Sequence, residues 1–172
     1  EAAKLIADGK IIGWLQGRLE YGDRALGNRS ILADPRDPSM KDRVNSTIKY
    51  REPFRPFAPS ILAEEATKYF IDSELTPFME KVYKIHPEKQ EILPAVTHED
   101  GTGRLQTVTK EQNPIYYSLI EAFRDITGIP VVLNTSFNLK GEPIVCSPED
   151  ALRTFATSGL DAIVLDKFLL EK

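Results

Sequence analysis

The chain has 172 residues, enough for one domain with a core that can fold alone. Apolar residues make up 41% and charged residues 28%. No apolar run nears the roughly 20 residues of a membrane-spanning helix, so no membrane partner is expected. The net charge of -4 argues against a nucleic-acid partner held by bulk positive charge.

Taken in chain order, the first expected element is a short helix with Ala2, Leu5 and Ile6 inward and Gly9 as its stop. A strand over 11–15 follows, and then the glycine- and arginine-rich turn GRLEYGDRALGNRS. Gly17, Gly22 and Gly27 permit positive φ there, and Arg18, Arg24 and Arg29 carry planar forks that match phosphate or carboxylate. The same turn also fits a plain loop with solvated arginines. Its spacing is not that of a P-loop.

Asp37-Pro38 then opens a helix whose apolar stripe is Met40, Val44 and Ile48. It leads into IKYREPFRPFAPSIL, where Lys49, Arg51 and Arg55 alternate with rigid prolines; Glu52 is an obvious ion-pair partner on the competing structural view. Strands are expected over 57–62, 78–85, 92–96 and 105–108, with a helix over 63–70 and an exposed loop over 84–91. Gly101 and Gly103 suggest a hairpin-like turn that leads to Arg104, with His98 and Asp100 read as structural. Asn113-Pro114 caps a helix that stops at Gly128. A strand over 130–133 ends in NTSFN, whose Asn134 and Ser136 can bond phosphate or sugar oxygens. Phe137 reads as packing, with stacking on an adenine left open. Ser147 to Asp150 forms a capping box for a last helix, and a strand over 162–165 follows. Interleaved helices and strands predict an α/β fold with a mixed sheet.

Cys146 is the only cysteine, which excludes an intrachain disulfide and fits a cytoplasmic setting. With two histidines and no Cys/His cluster, no metal site is expected. From Arg18 to Arg55 nine Lys/Arg stand against six Asp/Glu, so the basic charge is local and suits a small anion. No set of acid, base and nucleophile is obvious. Many anion-holding groups and few proton-transfer groups suit chemistry at phosphorus, where positioning and charge neutralisation dominate.

Four ordered segments, GRLEYGDRALGNRSILADPR, VNSTIKYREPFRPFAPSIL, AVTHEDGTGRLQTV and PVVLNTSFNLKGEPIV, resemble the C-terminal domain of the NodU/CmcH-type O-carbamoyltransferases. The likeness covers about residues 11–165. It implies a YrdC-like fold: a twisted, open, mixed α/β sheet with flanking helices and a concave positive face. It also implies that residues 1–172 are one domain of a longer chain, which agrees with the absence of an initial Met. The expected partner in cis is an N-terminal Kae1-like domain of the actin/hexokinase type. That domain carries the iron-bearing transferase site and passes the carbamoyl group to an acceptor hydroxyl. The activity implied for the part seen here joins carbamoyl phosphate and ATP, with magnesium, into carbamoyl adenylate. Lys49, Arg55 and Arg104 would then be catalytic, and Arg24, Arg51, Asn134 and Ser136 would hold the nucleotide and phosphates. Lys49-Tyr50-Arg51 resembles the YrdC Lys-x-Arg-Pro segment, except that Glu52 stands where proline is expected. Two other classes compete: a non-catalytic nucleotide- or anion-binding regulatory module, and a YrdC-like RNA-related domain for tRNA threonylcarbamoylation or double-stranded RNA.

Overall fold

The computed structural model describes residues 1–50, 52 and 55–172. Its centre is a seven-stranded mixed sheet. In chain order the strands are β1 (Ile12–Leu15), β2 (Arg29–Ala33), β3 (Ala58–Leu62), β4 (Val82–Lys84), β5 (Thr102–Arg104), β6 (Gln106–Val108), β7 (Val131–Ser136), β8 (Ala162–Leu165) and β9 (Phe168–Glu171). The sheet runs β6-β3-β7-β2-β1-β8-β9, and β4 and β5 form a separate antiparallel pair. Within the sheet β1 is parallel to β8 and β3 to β6, and the other neighbours are antiparallel.

Helices cover both faces. On one face α1 (Ala2–Ala7) and α4 (Pro114–Thr127) bury Leu5, Ile6, Tyr116, Ile120 and Phe123 against Ile12, Leu32 and Val132. On the other, α2 (Met40–Val44) and α5 (Pro148–Thr157) pack Met40, Val44, Ala151 and Phe155 on Ile11, Ile31, Leu133 and Ile163. Successive strand side chains point to opposite faces. A strand covered on both faces is therefore apolar throughout, as β1 is.

The structure moves several expected boundaries. The Met40–Val44–Ile48 stripe is fully buried, but the helix changes pitch and continues as a π-helical turn, Asn45–Lys49. It ends at Tyr50 with φ of 45°. The segment expected as a helix over 63–70 is a 3-10 helix, Ala63–Lys68. Residues 92–96 form turns rather than a strand, and the loop 84–91 contains a short helix, α3 (Pro87–Gln90). Strand β7 does not stop at Leu133. Asn134, Thr135 and Ser136 pair with Leu32, Ile31 and Ser30 of β2, so the polar tip belongs to the sheet. Phe137 is fully buried, and a Cβ on Gly13 would lie 2.5 Å from its ring. It packs against the sheet and is closed to a nucleotide base.

Candidate functional site

The site is built from the polar end of this sheet. The glycine-rich turn folds back over the sheet because Glu20 gathers it: its Oε1 accepts from the backbone N–H groups of Leu26, Asn28 and Arg29 at 2.7, 2.8 and 3.3 Å. Gly27, at φ of 104°, passes so close to Tyr116 that a Cβ would sit 2.2 Å from the ring. Of the three arginines in this turn, Arg29 is spoken for. It is 5% exposed, and its guanidinium donates to the carbonyls of Gln16, Gly17, Asn28 and Cys146. Burial lowers its pKa, against the pull of Glu20 and Cys146. Arg29 is thus a clamp between loops and not a ligand fork. Arg24 is exposed and 3.6 Å from Asp23.

A cavity of about 250 Å³ is lined by Lys49, Glu52, Arg55, Ser136 and Asn138. Lys49 ends the π-helical turn with 6% exposure. Its ammonium donates to the carbonyls of Ser136 and Asn138 at 2.6 and 3.0 Å, and lies 3.2 and 2.7 Å from their side-chain oxygens. Ser136 Oγ also donates to Asn138 Oδ1 at 2.8 Å. One cation therefore fixes the end of β7 and the following turn as a wall of the cavity. Arg55 is exposed, with Nε 2.9 Å from Glu52.

Asn134 is 1% exposed and joins the two halves of the site. Its Nδ2 bonds the carbonyl of Ala25 at 3.1 Å, Ser60 Oγ at 3.1 Å and Gln106 Oε1 at 3.0 Å. The bond to a backbone carbonyl fixes which end of the amide is nitrogen. Its donors are thus used up, and Oδ1, an acceptor, is the atom left over among the described residues. In this structure Asn134, expected to hold phosphate, anchors the arginine-bearing turn on the sheet. Tyr116 lies beneath, and burial holds its phenol far above the usual tyrosine range.

Arg104 ends β5, half-buried. Among the described residues it has no ion pair, and its Nε is buried without a hydrogen-bond partner. Burial first, then Arg24, opposes its charge, and Asp23 supports it less. A half-buried cation that feels a second cation beside it favours an anion. His98 is close enough to Arg104 to feel its charge. Burial lowers the His98 pKa; Asp100, the next cause, opposes this, and Arg104 and then Lys41 add smaller downward contributions.

The structure thus gathers Lys49, Arg55 and Ser136 on one cavity, and Arg24 with Arg104 on the other side of Asn134. Arg51 lies outside the described residues. Lys41 and Asn138 were not singled out in the sequence. Asn138 is signalled by its place two residues after Ser136. Lys41, on the polar face of α2, carries no local signal. Among the described residues no three His, Cys, Asp or Glu side chains cluster as metal ligands. No helix among them is long and apolar enough to cross a membrane.

Residues 3–172 match the family model described as carbamoyltransferase C-terminus. The chain belongs to this family. It is 54% identical to nodulation protein NolNO of Sinorhizobium fredii, over 99% of its own length and 26% of that protein. It is 38% identical to the 3'-hydroxymethylcephem-O-carbamoyltransferase of Amycolatopsis lactamdurans, over 96% of its length and 31% of that enzyme. The carbamoyltransferase C-terminus domain therefore spans between a quarter and a third of these relatives. Among solved structures it resembles full-length HypF in a phosphate- and nucleotide-bound form. The TM-score is 0.70 at 23% identity, covering 96% of this chain and 24% of that one. It also resembles P. abyssi Sua5 complexed with L-threonine. Here the TM-score is 0.64 at 17% identity, covering 88% and 42%. At those identities the likeness establishes the fold, which is YrdC-like as the sequence implied.

Proposed function

We propose that this domain forms carbamoyl adenylate from carbamoyl phosphate and ATP, as the activating half of an O-carbamoyltransferase. The observation that carries the proposal is Arg104: a half-buried cation beside Arg24, with no ion pair among the described residues. Family membership and relatives named as O-carbamoyltransferases support the choice of carbamoyl chemistry.

In this reaction water attacks carbamoyl phosphate, the bond between the carbamoyl oxygen and phosphorus breaks, and phosphate, carbamate and a proton result. A carbamate oxygen then attacks the α-phosphorus of ATP, and pyrophosphate leaves. The protein's part is to position the reactants and to balance charge at phosphorus. Arg24 and Arg104 face the anion from one side. Arg55 faces it from the other, where Lys49 and Ser136 shape the wall. Magnesium enters with ATP as part of the substrate. The adenylate then serves the longer protein's transferase part, where an iron-bearing Kae1-like domain would carry out the transfer.

A hydrogen bond to a charged group contributes about 1.5–3 kcal/mol, and about 1.4 kcal/mol is a factor of ten. Arg104→Ala and Arg55→Ala should each lower carbamoyl-phosphate-dependent ATP–pyrophosphate exchange by at least about tenfold. Unchanged exchange in both variants would sink the assignment.

A further inference from the structure

The groups gathered for an anion are donors: guanidinium, ammonium and hydroxyl. Besides the fully buried Asn134 Oδ1, His98 is the exception. The turn 98–102 is tied by His98 N–H to the Thr102 carbonyl at 2.8 Å and Gly101 N–H to the His98 carbonyl at 2.9 Å. Asp100 Oδ1 accepts from both the backbone N–H and the hydroxyl of Thr102, at 3.1 and 2.6 Å. These bonds hold the Asp100 carboxyl below its usual range, so it stays ionised. Thr102 has one hydroxyl proton, and the carboxylate takes it. The Thr102 oxygen, 2.9 Å from His98 Nδ1, can then only accept. The ring proton therefore sits on Nδ1, and Nε2 of the neutral ring is a bare acceptor. That atom is buried and has no hydrogen-bond partner among the described residues.

Both signs of charge act on the ring, Asp100 first and then Arg104 and Lys41. Thr102 and Arg104 are two apart on β5, so their side chains share one face of the strand. His98, bound to Thr102, is on the Arg104 side. It also lines a cavity of about 330 Å³ with Lys41, Pro56, Glu99 and Asp100. Phosphate oxygens need donors, and an unprotonated acceptor contributes nothing to holding them. The carbamoyl end of carbamoyl phosphate differs from phosphate in one respect: its –NH2 must find an acceptor.

We propose that His98 determines specificity, with its Nε2 accepting from the carbamoyl –NH2 while Arg104 faces the phosphate of the same molecule. This rests on the adenylating function proposed above. Glu99 and Asp100 do not replace it. Asp100 Oδ1 already serves Thr102, and both carboxylates are exposed, where water competes for them.

Acetyl phosphate, with a methyl in place of the amino group, is the probe. A site built to bond a substrate N–H strongly rejects the analogue that lacks it. Wild-type protein should prefer carbamoyl phosphate over acetyl phosphate in ATP–pyrophosphate exchange. His98→Asn keeps a donor near the Nδ1 position for Thr102 and removes Nε2. It should lower kcat/KM for carbamoyl phosphate by about tenfold or more and leave acetyl phosphate unchanged, with thermal stability near wild type at pH 7.5. His98→Gln, whose amide oxygen reaches further, should recover part of the preference. Equal loss for both substrates, or an unchanged ratio, would overturn the role of His98. Absence of exchange in the wild type would instead overturn the adenylating function. In that event the ratio of dissociation constants for the two phosphates, measured by calorimetry on wild type and His98→Asn, decides the question for His98. An unchanged ratio, or no binding of either phosphate, overturns it.

Discussion

At the scale of single residues, two arginines with similar sequence surroundings have opposite roles. Arg29 is buried among four backbone carbonyls, and Arg104 is half-buried with no ion pair among the described residues. Removing Arg29 strands several buried acceptors, each worth about 1–3 kcal/mol. Arg29→Ala should therefore lower the unfolding free energy in urea by about 3 kcal/mol or more. Arg104→Ala removes a cation that burial already disfavours, so its stability should fall by no more than about 0.5 kcal/mol. A large loss for Arg104→Ala, or none for Arg29→Ala, would reverse these assignments. The sequence shows that both are arginines near glycines. It does not show which one faces carbonyls, because Cys146 reaches Arg29 from 117 positions away. Asn134 is a similar case. Its type and place promised an anion contact, and the tertiary partners Ala25, Ser60 and Gln106 took its donors.

Among the elements, those with strong local chemistry were legible. Ser147 and Asp150 form the expected capping box: Ser147 Oγ accepts from Asp150 N–H, and the Asp150 carboxylate accepts from Ser147 N–H. Ser147→Ala should cost about 1 kcal/mol, read as a shifted urea midpoint. A midpoint identical to wild type would show that the cap is not needed. The helix from Pro114 was equally clear, with its Asn113 cap and Gly128 stop. The less legible elements lacked such signals. Strand β2 is hidden because it opens on Arg29 and Ser30 directly after a glycine-rich turn. Strand β9 is at the sheet edge beside β8 and is mostly exposed, so it has no apolar alternation to betray it. Residues 92–96 mislead in the other direction. Leu93, Ala95 and Val96 are buried in the core without a neighbouring strand, which an apolar run cannot reveal.

For the whole molecule, the sheet keeps its two apolar faces under helices and leaves its polar end to the site, where an acidic protein concentrates cations. That arrangement gives stability a pH dependence. The folded pKa of His98 lies below the ordinary value of 6.5, with burial the first cause. As pH falls below about 6.5 the unfolded chain takes up a proton that the folded ring resists. Stability present above that pH is lost as it falls toward the lower folded value. Between about pH 7.5 and about pH 5 the Tm of the wild type should thus drop further than that of His98→Asn. Parallel curves would show that His98 carries no such linkage. Adenylation is tested most directly by product analysis with phosphorus NMR after mixing the protein with carbamoyl phosphate and magnesium ATP. Carbamoyl adenylate formation predicts pyrophosphate released only when both substrates are present, with at least an equal amount of phosphate. Binding of both substrates without pyrophosphate release would contradict it, and would make the domain a binding module.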